Sequence, residues 1–100
     1  MREDVYKLFI SKYKSMGEDR FYRFLLSYAM DKIANFEKKD ISPEVELIGY
    51  YEKFLQLYRR EGEIDYLELA KIFRKAGNKI YRVLLKTNSI NKNNKFLNVV

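Results

Sequence analysis

The 100-residue chain contains no cysteine, no histidine and no tryptophan. Without cysteine there is no disulfide framework and no thiol chemistry. Without histidine as well, the usual general bases and soft metal ligands are gone. One proline and four glycines leave little punctuation for a fold of short strands and tight turns. Gly17, Gly49, Gly62 and Gly77 are scattered one per segment, so no glycine-rich loop is available to cradle a phosphate. The closest carboxylate groups, Glu44/Glu46 and Glu61/Glu63/Asp65, fall at helix boundaries. Capping and the helix dipole favour acids there. The chain therefore reads as non-catalytic, with no cofactor and no metal expected. No secretory apolar core follows the charged start Met1-Arg2-Glu3-Asp4. No run approaches the roughly 20 apolar residues of a membrane span, so no membrane partner is expected. The expected compartment is cytoplasmic, or a host cytosol for a viral source.

What remains is 47% hydrophobic and 34% charged, the balance of one globular domain. Its apolar residues repeat at helical spacing in four segments. The first helix is expected over 2–14, with Val5, Leu8, Phe9 and Tyr13 on its inner side. The second is expected over 16–38, opened by a capping box of Ser15 and Glu18. Phe21, Phe24, Leu25, Tyr28, Ala29, Ile33 and Phe36 form its apolar arc. Lys12 and Lys32 fall within apolar arcs, where a lysine normally runs its stem along the core edge. The third helix is expected over 43–61, with Ser42 as N-cap, Pro43 in the first position and Gly62 as the left-handed stop. Its apolar arc covers about half the circumference, wider than one core face needs. Either this helix is central in the bundle, or Tyr50, Phe54 and Leu57 serve a homodimer interface.

The fourth helix is expected over 66–86, opened by Asp65 and Glu68 as a capping box and by Ile64 and Leu69 as a hydrophobic staple. Leu69, Ile72, Phe73, Ala76, Ile80, Val83 and Leu84 hold one phase across Gly77-Asn78. A helix-turn-helix needs its glycine turn soon after the first helix, and Gly77 comes too late, so one continuous helix is the better reading. Residues 88–100 form an Asn- and Lys-rich C-terminal tail. The expected architecture is all-α: a small antiparallel four-helix bundle with a short C-terminal arm, the helical domain covering 1–87.

Acidic side chains are missing from the end of the chain. Residues 1–68 carry 12 Lys/Arg against 14 Asp/Glu, a sum of −2. After Glu68 come Lys71, Arg74, Lys75, Lys79, Arg82, Lys86, Lys92 and Lys95, a sum of +8. On a helical wheel the first six of these, with Asn78, fall within an arc of about 140° opposite the apolar residues. They form a ridge about 20 Å long, and Tyr81 lies on its flank, able to stack on a base or donate to a phosphate. A solvated helix normally mixes signs and gains i,i+4 pairs, and this one does not. A single-sign field of this kind draws an acidic partner. The expected function is nucleic-acid binding, DNA or RNA, through Lys71, Arg74, Lys75, Asn78, Lys79, Tyr81, Arg82 and Lys86. The alternative is a helical interaction or oligomerisation module that binds an acidic protein.

Overall fold

A computed structural model describes the backbone of residues 2–35 and 41–91, and the side chains of 4–35 and 41–86. Four helices follow in order: α1 Arg2–Met16, α2 Glu18–Ala34, α3 Pro43–Glu61 and α4 Ile64–Asn91. No strand occurs among the described residues. No helix there is long and apolar enough to cross a membrane. The protein is a small all-α four-helix bundle.

The helix ends show which local signals decided the fold. Gly62 stops α3 in the left-handed region (φ 75°), and its N–H donates to the Tyr58 carbonyl at 2.7 Å. Ser42 stands at the N-cap of α3 as expected, but its side chain makes no capping hydrogen bond. Its carbonyl accepts from the Glu46 N–H at 3.0 Å instead. The Ser15/Glu18 capping box does not form, because α1 runs on through Ser15 to Met16. Gly17 is the N-cap of α2, and its φ of 87° makes the turn that a side chain would resist. The second capping box also fails. Helix α4 already includes Ile64, which is 58% exposed and staples nothing, while Asp65 pairs with Lys14 of α1 at 3.3 Å. Helix α2 ends at Ala34, short of the expected 38, where Asn35 returns both its backbone N–H and its side-chain amide to the Asp31 carbonyl. Phe36 lies outside the described residues. Helix α4 continues to Asn91, so 88–91 are helical and not tail, and 92–100 lie outside the described residues.

Packing centres on α4. Leu69, Ala70, Ile72, Phe73, Ala76 and Ile80 of α4 are buried, and Phe21, Leu25, Ala29, Leu47 and Phe54 meet them from α2 and α3. Helix α1 closes the core through Tyr6, Phe9, Ile10 and Tyr13. Leu8 was expected inside but is 53% exposed, since the packing of Phe9 on Phe21 and Phe73 sets the inner face of α1. Lys12 and Lys32 lie over the rings of Phe24 and Tyr28 at 5.2 and 5.6 Å, as edge lysines do.

The most extensive contact is α3 on α4, and the two run antiparallel. Arg74 meets Tyr51 and Gly77 meets Leu47 and Ile48. Gly77 is what lets the helices approach. A Cβ there would stand 2.8 Å from Ile48 Cδ1, 3.0 Å from Ile48 Cγ1 and 3.4 Å from Leu47 Cβ. Gly77→Ala needs the Ile48 side chain, Cγ1 as well as Cδ1, to give way, and that cost is set against about 1 kcal/mol of helix propensity, so it should melt near wild type. Gly77→Leu cannot be absorbed that way. Overpacking of about 1–3 kcal/mol should lower its melting temperature by about 10 °C. Thermal melts followed by circular dichroism check both, and an unchanged Leu variant would mean that α3 and α4 are not in close contact here.

Candidate functional site

Helix α4 buries one face and must offer the other to solvent. The side chains of Lys71, Arg74, Lys75, Asn78, Lys79, Tyr81, Arg82 and Lys86 are all exposed, so the structure leaves every sequence-named residue of the ridge accessible. Lys71, Arg74, Lys75, Asn78 and Arg82 enclose a shallow cup of about 440 Å³. All five are hydrogen-bond donors, and no carboxylate lines the cup. Lys79 and Lys86 stand outside it.

Two neighbours steady the cup. Lys75 lies over the ring of Tyr22 on α2 at 4.6 Å, and Arg74 lies over Tyr51 on α3 at 5.7 Å. Each contact contributes about 0.5–1 kcal/mol at an exposed site and limits where the cation can swing. The ridge is thus framed by α2 on one side and α3 on the other.

Elsewhere acidic and basic side chains are interspersed along the chain, and three ion pairs are seen among the described residues. Lys14 pairs with Asp65 at 3.3 Å, Lys32 with Glu46 at 3.9 Å, and Arg60 with Glu61 at 2.9 Å. Glu46 Oε2 also accepts a 2.7 Å hydrogen bond from the Tyr28 hydroxyl. Burial raises the pKa of Tyr28 well above the ordinary tyrosine value, and the carboxylate that holds its proton raises it further. Among the described residues, no cation of the ridge takes part in an ion pair.

Tyr81 is 52% exposed and does not join the cup. It lines a separate groove of about 390 Å³ between α3 and α4, with Glu44, Val45, Ile48, Gly49, Glu52, Gly77 and Asn78. The groove is mainly apolar, and one buried oxygen of a lining residue, Glu44 Oε1, has no hydrogen-bond partner among the described residues. Among the described residues, only Asn78 lines both cup and groove. Sequence reasoning missed Glu44, Gly49, Glu52 and Gly77 as a group. Their one signal was a glycine in the middle of each of two strong helices, at about 1 kcal/mol apiece relative to alanine.

Of the three residues expected at an oligomer interface, one is fully inward and two keep part of their surface. Phe54 is fully buried and packs on Tyr6, Phe9, Tyr66 and Phe73, so it has no surface to offer a second chain. Tyr50 is half-buried against Phe9 and Phe73. Leu57 is half-buried against the core. The broad apolar arc of α3 is explained by its position, with α4 on one side and the rings of α1 on another. No protein-family model, no curated protein and no solved structure matches this chain, which leaves the chemistry of this surface as the guide to its function.

Proposed function

We propose that the protein binds nucleic acid through backbone phosphates, with Lys71, Arg74, Lys75, Asn78, Lys79, Arg82 and Lys86 of α4 as the contact surface. The observation that carries this reading is the unpaired, single-sign ridge. Six cations share one exposed face, accept their mutual repulsion, and forgo the i,i+4 pairs that a solvated helix normally gains. The helix dipole does not account for them. Cations favour the last turn, and α4 has no basic residue there because it runs on to Asn91. Arg82 and Lys86 are therefore as unexplained by helix stability as Lys71 and Arg74.

A duplex or a single strand places a negative charge every few ångströms along the ridge, and cations that neutralise phosphates release counterions. Affinity for mixed DNA and RNA oligonucleotides, measured by mobility shift, should then fall steeply with salt. For four to six phosphates the log–log slope on a single strand is on the order of −3 to −4. Polyglutamate is the comparison. Absence of nucleic-acid binding at low salt, or tighter binding of polyglutamate, would overturn the reading in favour of an acidic protein partner.

A further inference from the structure

We propose that the α3–α4 groove holds an unpaired base, so that the ligand is a single strand, and that the base preferred is guanine. This rests on the phosphate-binding reading of the ridge. The cup and the groove meet at Asn78, with cationic donors on one side and a mainly apolar slot on the other. A nucleotide has the same layout: one charged end and one flat end.

The groove suits a flat ring. Gly49 and Gly77 line it, and where a Cβ of Gly49 would stand there is open space. The close approach of α3 accounts for Gly77. Nothing among the described residues accounts for Gly49, although glycine weakens the middle of a helix by about 1 kcal/mol. A base lying against bare backbone accounts for it. Tyr81, half exposed at the mouth, offers a stacking face. The volume of 390 Å³ is that of a small-ligand site.

The polar groups select the base. Glu44 and Glu52 line the groove, and Glu44 Oε1 is buried without a partner among the described residues, so turning that carboxylate toward a base costs it no hydrogen bond. A carboxylate only accepts hydrogen bonds. The Watson–Crick edge of guanine presents two adjacent donors, N1–H and the N2 amino group, which one carboxylate can accept together. Adenine and cytosine set a ring acceptor beside their amino group, and thymine sets carbonyls on both sides of its N–H. In a duplex these edges are already paired.

The test uses fluorescence anisotropy with labelled oligothymidylate, the same strand with one central deoxyguanosine, and the duplex of that strand. The guanine strand should bind about tenfold tighter than oligothymidylate. The duplex should show no such preference. Glu44→Gln removes the charged acceptor and Gly49→Leu covers the bare backbone of the groove wall without disturbing the helix, so each should bring the ratio of the two strands close to one. A wild-type ratio of one, or a ratio that survives both substitutions, overturns the base site while leaving phosphate binding standing. Failure of every strand to bind at low salt overturns both.

Discussion

Reversing Lys75 and Arg82 together to glutamate is expected to weaken nucleic-acid binding by about a hundredfold at about 0.1 M salt. Each lost phosphate contact removes about 0.7–0.9 from the log–log salt slope, a factor of roughly five to eight at that concentration. Two contacts account for about 25- to 60-fold, and the new repulsion supplies the rest. The fold should hardly notice. Lys75→Glu gives up its place over Tyr22, worth about 0.5–1 kcal/mol. In exchange the new carboxylate stands four residues from both Lys71 and Lys79, and each such pair returns a few tenths of a kcal/mol. Lys7→Glu with Lys53→Glu is the matched control: the same change in net charge, on exposed positions of α1 and α3. Equal weakening by both pairs would show that binding follows total charge and that the ridge is not the site.

The ridge was legible in the sequence because only two facts were needed, the sign of the charges and the helical phase. Helix α3 was legible to the residue, since Pro43 and Gly62 act through the backbone itself. The continuity of α4 through Gly77 was legible too, because seven in-phase apolar residues outweigh one glycine. The two capping boxes were misread for a common reason. A serine or aspartate at the right spacing is only one way to end a helix, and tertiary contacts decide among them. Gly17 turned the chain two residues later than Ser15 suggested, and α4 began before Asp65, which pairs with Lys14.

The groove was not legible, and the reason is geometric. Gly49 and Gly77 are 28 positions apart and read as isolated weaknesses in two separate helices. They line one slot only because α3 and α4 cross closely, and that crossing depends on which side chains of Leu47 and Ile48 meet the bare backbone of Gly77. Composition and periodicity carry no record of such a meeting. The packing of the broad arc of α3 was hidden for the same reason. Placing its rings required knowing that Tyr6 and Phe9 come down on Tyr50 and Phe54 from the other side.

Phe73→Ala is expected to cost about 3–5 kcal/mol, the largest stability loss of any single change considered for this chain. The ring is fully buried, and rings from every other helix surround it: Phe9 of α1 at 5.1 Å, Phe21 of α2 at 5.9 Å, and Tyr50 and Phe54 of α3 at 5.3 and 5.5 Å. Those neighbours are held by three different helices, so they cannot collapse together into the space left behind, and the cavity term adds to the lost transfer energy. A domain of this size has about 5–15 kcal/mol in total, so the variant should melt about 20 °C lower and approach the edge of folding at body temperature. Leu8→Ala is the reference, because Leu8 is 53% exposed and its loss should stay within about 0.5 kcal/mol. Urea denaturation of both variants measures the difference. The result also bears on function. Phe73 and the basic ridge stand on opposite sides of α4, so a Phe73→Ala loss below about 1 kcal/mol would mean that α4 is turned differently, and the ridge with it.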